Sequence, residues 1–131
     1  MPSGNRGSAS ENTQVTDAGL VTLTRLPRLQ ELDLSNTRVT DAGLAHLATL
    51  TDLRKLRLTN MPQVSGEGIS NLRGLKKLES LSLEGMELGK LGLGCLKELK
   101  NLKRLSLKNT VVSAADIADL QHALPGLEVE D

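Results

Sequence analysis

The 131-residue sequence contains no phenylalanine, tyrosine or tryptophan. Any hydrophobic core must therefore be aliphatic, and a binding surface cannot use the aromatic anchors that dominate many protein interfaces. Stacking of nucleic-acid bases on aromatic side chains is excluded for the same reason. The absence of aromatic residues favours a function that depends on polar or charged side chains.

The sequence also lacks a second cysteine, a net charge and a long apolar run. Cys95 is the only cysteine, so no disulfide can form within the chain. The 16 basic and 16 acidic residues cancel, which argues against a binder of nucleic acids or anionic membranes. No apolar run approaches the roughly 20 residues that span a bilayer, and residues 1–14 contain no signal-peptide core. These absences predict a soluble, cytoplasmic protein with no nucleic-acid or membrane partner.

A repeat of 24 or 25 residues runs through the chain. An apolar residue followed by a small one marks each unit, at Val15, Val39, Val64, Leu88 and Val112. Apolar residues five, eight and eleven positions after the marker fall on one face of a short helix. Hydroxyl side chains that could cap these helices follow four of the markers, at Thr16, Thr40, Ser65 and Ser113.

A Leu-x-x-Leu-x-Leu pattern follows each helix, beginning at Leu29, Leu53, Leu78 and Leu102. Its last two leucines alternate with polar residues, so they point to the same face of an extended strand. A single strand cannot bury these leucines, but parallel stacking of the units buries a continuous leucine ladder. The pattern predicts an α/β solenoid, with parallel strands on the concave face and short helices on the convex face.

These units resemble the leucine-rich repeat family. Residues 29–37 fit its strand half. The sequence Val-Thr-Asp-Ala-Gly-Leu at 15–20 and 39–44 is similar to the helical half of the cysteine-containing class, which includes F-box-associated and ribonuclease-inhibitor-like proteins, and of short bacterial repeat proteins. Where the consensus has Asn or Cys, this chain has Thr37, Met61, Met86 and Thr110. The resemblance covers about residues 14–131 and implies a right-handed superhelix that acts as a protein-interaction scaffold. No F-box-like segment precedes the repeats, so a ubiquitin-ligase role is not implied.

The two ends depart from the repeat. Residues 1–13 are polar and predict a disordered tail. Ser8 and Ser10 stand at the repeat positions that are leucine in the later strands, which predicts that the first strand is missing. A helix over 15–26 is then expected to start the domain. Residues 14–131 then form a repeat domain of about five units of 24–25 residues with a C-terminal cap.

The predicted cap is a last short strand that follows a Pro-Gly helix stop. Leu127 and Val129 point inward from it, in a register that is ambiguous by two residues. In either register Glu128 and Glu130 face outward, and their charge discourages pairing of this edge with another sheet.

The strand residues between the leucines form the concave surface, where the geometry of a solenoid favours a binding site. The candidate partner-binding residues are Glu31, Asp33, Lys55, Arg57, Ser80, Ser82, Glu84, Arg104, Ser106 and Lys108. One interpretation is a solvated face whose opposite charges pair with each other, as Glu31–Lys55, Asp33–Arg57 and Glu84–Lys108. The other interpretation is a surface for a polar, electrostatically matched protein partner of unknown identity.

Catalysis has little support from the sequence. His46 and Cys95 share a repeat column but are two units apart, roughly 10 Å at strand spacing, which is too far for joint metal ligation. The glycine-rich stretch 85–94 lacks the spacing of a phosphate-binding loop. We predict a non-enzymatic monomer with no cofactor and no metal. The alternatives are a structural or assembly element that self-associates through an exposed N-terminal edge, and a truncated relative of a longer protein without independent function.

Overall fold

The computed structural model describes residues 8–9, 20–21, 25, 28–35, 37–61 and 63–130. Within these residues, six parallel strands form one sheet in chain order. The strands are β1 Ser8–Ala9, β2 Glu31–Asp33, β3 Lys55–Arg57, β4 Ser80–Ser82, β5 Arg104–Ser106 and β6 Glu128–Glu130. The predicted α/β solenoid is confirmed.

Helices connect the strands across the opposite face. They are α1 Asp41–Leu47, α2 Gly66–Ile69 with a 3-10 turn over Ser70–Gly74, α3 Gly89–Leu96 and α4 Ala114–Ala123. None of these described helices is long and apolar enough to cross a membrane. Leu20 and Val21 are helical, and most of the first helix that was predicted over 15–26 lies outside the described residues.

The core consists of the leucine ladders that the repeat predicted. The central residue of each strand pairs with its counterpart, so Leu32, Leu56, Leu81 and Leu105 stack in register and Val129 continues the column. The four leucines are at most 2% exposed. A second ladder of buried leucines follows it at Leu34, Leu58, Leu83 and Leu107. Each leucine of a ladder packs against its counterparts in the repeats before and after it, so adjacent repeats depend on each other for stability.

The prediction that the first strand is missing is wrong at residues 8 and 9. Ser8 and Ala9 form β1, which pairs in parallel with Glu31 and Leu32 of β2. The observed register is shifted by one residue from the sequence phase, and it places Ala9, not Ser8, opposite Leu32. Strand pairing uses backbone groups, so a short strand needs no leucine. The remainder of the predicted tail, 1–7 and 10–13, lies outside the described residues.

The ambiguous register of the last strand is resolved by its pairing with β5. Val129 lies opposite Leu105, and Glu128 and Glu130 lie opposite Arg104 and Ser106. Leu127 is buried, whereas both glutamates are exposed, as the sequence predicted. Helix α4 ends before Pro125 and Gly126, because proline cannot continue a helix.

The position of the consensus Asn or Cys is filled in two ways. The hydroxyl of Thr37 donates to the carbonyl of Leu34 at 2.7 Å, and that of Thr110 donates to the carbonyl of Leu83 at 3.0 Å. Met61 and Met86 are buried at the same position, but a thioether has no proton to donate. The side-chain hydrogen bond at this position is therefore absent at Met61 and Met86, where apolar packing of the thioether replaces it.

Asp41, at the start of α1, joins this helix to the next repeat. Its carboxylate accepts from the Ser65 backbone N–H at 2.7 Å and from the Ser65 hydroxyl at 2.6 Å. The Ser65 hydroxyl also accepts from the Glu67 N–H at 3.3 Å, as expected for an N-cap. Gly68 lies against this contact, and a Cβ atom built there would come within 2.3 Å of Asp41 Oδ1. The absence of a side chain at Gly68 thus makes room for the link between the two repeats.

The last helix has the most complete cap. The Ser113 hydroxyl accepts from the Asp116 N–H at 3.1 Å, and the Asp116 carboxylate accepts from the Ser113 N–H at 3.2 Å. This reciprocal arrangement is a capping box. By contrast, Thr40 precedes α1 without a side-chain cap bond, and Thr16 lies outside the described residues.

Replacing Ser113 by alanine is expected to lower the free energy of unfolding by about 1 kcal/mol, because the Asp116 N–H at the start of α4 loses the hydroxyl that accepts its hydrogen bond. Ser113→Asp is the matched control, since aspartate caps helices as well as serine does. Thermal unfolding followed by circular dichroism compares the two variants. If Ser113→Ala and Ser113→Asp lowered the stability equally, the loss in the alanine variant would not come from the cap.

Candidate partner-binding face

The parallel register arranges the candidate residues in two rows across the concave face. The first row is Glu31, Lys55, Ser80, Arg104 and Glu128. The second row is Asp33, Arg57, Ser82, Ser106 and Glu130. Neighbours within a row are about 4.8 Å apart at the backbone. The register agrees with the repeat spacing for these two rows, and each row is extended by one glutamate of β6, whereas Glu84 and Lys108 lie just beyond their strands and outside the register.

Basic residues lie in the middle of these rows and acidic residues lie at their ends. Lys55 Nζ is 3.8 Å from Glu31 Oε2, and Arg57 Nη1 is 3.5 Å from Asp33 Oδ2. The Lys55 and Arg57 side chains nevertheless remain 61% and 57% exposed. Exposed pairs of this kind contribute about 0–1 kcal/mol, so both cations retain donors for a partner.

Glu84 differs from the predicted pairing, and Arg104 has no predicted partner. Glu84 accepts a hydrogen bond from the Ser106 hydroxyl at 2.7 Å, and the ion pairs of the described residues do not include Glu84 with Lys108. Arg104 is exposed and makes no ion pair within the part of the chain that the structure describes. The face is therefore not fully neutralised by its own side chains.

A groove of about 450 Å³ crosses the face at β4 and β5. Ser80 and Ser82 form its floor, and the longer side chains of Arg57 and Arg104 stand beside them. Ser80 lies between Lys55 and Arg104 in its row, and Ser82 lies between Arg57 and the short Ser106, so small residues of β4 and β5 leave the depression between the two arginines. Ser82 Oγ is buried and has no hydrogen-bond partner among the described residues. A buried hydroxyl without a partner is unusual in a folded protein.

A separate set of charges lies outside the rows, on the edge where helices lead into strands. Arg54 pairs with Glu79 at 2.9 Å, and Lys77 pairs with Asp52 at 2.9 Å. The hydrogen bond from Lys77, followed by the positive charge of Lys77, lowers the pKa of Asp52. Each of these ion pairs joins two consecutive repeats, so the pairs help to align the repeats.

The histidines and the cysteine lie on helices, away from the rows. His46 is half-buried on α1, His122 is exposed on α4, and Cys95 is buried on α3. The Cys95 sulfur accepts from Arg73 Nη2 at 3.1 Å, and this bond raises the pKa of Arg73. In the described ranges, no group of three His, Cys, Asp or Glu side chains could hold a metal ion.

Comparison with known proteins agrees with this architecture. Residues 27–74 match the family model described as leucine-rich repeats in two copies. A solved leucine-rich repeat protein of Leptospira interrogans is 32% identical to this chain and superposes on 85% of it with a TM-score of 0.66. The chain is a leucine-rich repeat protein. It spans 27% of the length of the Leptospira protein.

Two internalins of Listeria monocytogenes are more distant from this leucine-rich repeat protein. Internalin F has 16% identity and a TM-score of 0.47, over 92% of this chain and 45% of its own. Internalin C2 has 21% identity and a TM-score of 0.41, over 93% of this chain and 69% of its own. A comparison with curated proteins found no match. Membership of the cysteine-containing class stays a prediction.

Proposed function

We propose that this leucine-rich repeat protein is a non-catalytic interaction module that binds a protein partner on its concave strand face. The observation that carries the proposal is the set of exposed cations that the register holds on the concave face, of which Arg57 and Arg104 line the groove. Lys55 and Arg57 are only weakly engaged, and Arg104 has no ion pair within the described residues. A continuous sheet positions the backbone of these residues without loops, so little backbone entropy is lost when a partner binds.

The composition of the face indicates the kind of contact. Without aromatic anchors, binding must depend on ion pairs and hydrogen bonds. Arginine suits this role, because its planar guanidinium offers five donors and forms bidentate pairs with carboxylates. We therefore expect a polar partner whose charges complement a basic centre flanked by acidic ends.

The test is affinity capture from the native host with the full chain as bait. Arg57→Glu/Arg104→Glu is expected to weaken the captured complex roughly 100-fold, because two attractive contacts become repulsive. Lys76→Glu/Lys100→Glu is the matched control, since it makes the same change in net charge at exposed positions outside the rows. Retention of the partner by both variants would remove the concave face from consideration.

The alternative of self-association through the N-terminal edge has less support, because the described edge strand β1 is only two residues long and offers few backbone groups for pairing. Light scattering after size exclusion separates the two functions. The interaction module is expected to elute with the 14.0 kDa mass of one chain. A mass that rises with concentration would favour the assembly element.

A further inference from the structure

The groove at β4 and β5 points to a more specific partner chemistry. We infer that a carboxylate of the partner, from an aspartate or glutamate side chain, enters this groove between Arg57 and Arg104 and lies over Ser80 and Ser82. The inference rests on the proposed use of the concave face. The inference specifies which chemical group of the partner contacts the concave face, a carboxylate, and where it lies, in the groove at β4 and β5.

The positions of the two arginines favour a carboxylate. Arg57 is on β3 and Arg104 is on β5, in different rows, so their backbones are separated by two strand spacings and by two residues along the strand, roughly 12 Å in all. Both side chains line the same groove, and the serines of β4 leave the space between them open. A carboxylate in that space can accept from both guanidinium groups at once, whereas an amine or a neutral amide would leave their charges unmatched.

The floor of the groove supplies a second argument. Ser82 Oγ is buried and has no partner among the described residues, although the Ser82 side chain lines the groove. Serine side chains change between staggered rotamers, and such a rotation turns the hydroxyl toward the groove. A bound carboxylate oxygen would then accept the hydrogen bond that the hydroxyl lacks in the free protein, so binding would remove an unfavourable feature of the fold.

Acidic residues on the far side of the groove set the orientation of the partner. Glu128 and Glu130 line the groove from β6, whereas Glu84 lines it from just beyond the end of β4, where its carboxylate accepts from the Ser106 hydroxyl. A carboxylate is repelled at that side and is favoured at the Arg57 side. A partner segment with an acidic side chain toward β3 and a basic side chain toward β6 therefore fits the groove best.

Peptide display tests the inference with random sequences in place of the natural partner. A library of 12-residue peptides is selected on the immobilised full chain, and fluorescence polarisation then gives the Kd of each enriched peptide. We expect the enriched peptides to share one acidic position. Replacing that residue by its amide, Asp→Asn or Glu→Gln, is expected to weaken binding at least 10-fold.

Variants of the chain identify the groups that hold the carboxylate. Arg104→Glu and Ser82→Leu are expected to weaken the acidic peptides at least 10-fold, by charge repulsion and by filling the groove. Lys100→Glu, which makes a comparable charge change outside the groove, is expected to leave Kd unchanged. Ser82→Ala is expected to weaken binding about 3-fold while leaving the thermal unfolding midpoint unchanged or higher, because its hydroxyl is unsatisfied in the free protein.

The possible failures are distinguishable. Peptides that lose binding with Ser82→Leu but share no acidic position would overturn the carboxylate inference and leave the concave face as the binding surface. Peptides that bind the Ser82→Leu and Arg57→Glu/Arg104→Glu variants as well as the wild type would overturn both proposals. A selection that enriches no peptide would overturn the carboxylate inference, since the groove would then lack affinity for short acidic segments.

Discussion

Replacing Leu81 by alanine is expected to lower the free energy of unfolding by about 2–5 kcal/mol. Leu81 is 1% exposed at the centre of β4, and its register partners are Leu56 and Leu105. Removing its side chain leaves a cavity between two leucines whose positions are set by their own strands. Because a repeat contacts only its neighbours, this change weakens the interfaces on both sides of the central unit.

Urea unfolding followed by far-ultraviolet circular dichroism measures this loss. A chain without tryptophan or tyrosine has no useful intrinsic fluorescence. Val129→Ala is the matched control, because Val129 is half-buried on β6 and pairs, within the described sheet, only with Leu105. We expect it to cost about 1 kcal/mol or less, since little apolar area is lost. If Leu81→Ala and Val129→Ala lowered the free energy of unfolding equally, the central leucines would contribute no more to stability than the residue at the end of the ladder.

Gly68→Ala is expected to lower the free energy of unfolding by about 1–3 kcal/mol, although alanine is the better helix former. The new methyl group would meet Asp41 Oδ1 at 2.3 Å and the Asp41 Cα at 3.1 Å. The carboxylate must then move away, and its two hydrogen bonds to Ser65 are lost. The cost arises from the contact between repeats and outweighs the gain within the helix.

Gly94→Ala provides a control of opposite sign. Gly94 lies in α3, and a Cβ atom there has no other heavy atom within 4 Å. Alanine at this position is expected to raise the free energy of unfolding by about 0.5–1 kcal/mol, because glycine loses more conformational freedom on folding. A double-mutant cycle of Gly68→Ala with Asp41→Ala then isolates the contact. If Gly68→Ala cost the same with and without the Asp41 carboxylate, the explanation would be wrong.

The strands and their register were predictable from the sequence because one physical requirement determines both. Each Leu-x-Leu pair must face the core, and one such pair in every repeat of 24 or 25 residues places equivalent residues of successive strands side by side. The rows of the concave face follow directly, which is why Lys55 and Arg57 lie beside Glu31 and Asp33 as predicted. The binding role of these rows stays a prediction.

The features that sequence patterns missed depend on contacts that leave no periodic signal. Strand β1 is built from backbone hydrogen bonds and has no leucine, so the leucine pattern could not indicate it. Glu84 and Lys108 were predicted to pair because they occupy equivalent positions in successive repeats, but the Glu84 carboxylate accepts a hydrogen bond from the Ser106 hydroxyl instead. The link from Asp41 to Ser65 joins residues 24 positions apart.

The order of charges along the rows has a consequence for the kinetics of recognition. Basic residues lie within a few ångströms of the acidic residues at the row ends, on a chain of zero net charge, so their fields cancel at distances beyond a Debye length, about 8 Å at physiological salt. A partner is therefore not steered from afar and arrives at the rate of an unassisted encounter, about 10⁵–10⁶ M⁻¹ s⁻¹. Once it is docked, the same charges act at contact distance, and they determine how long the complex lasts.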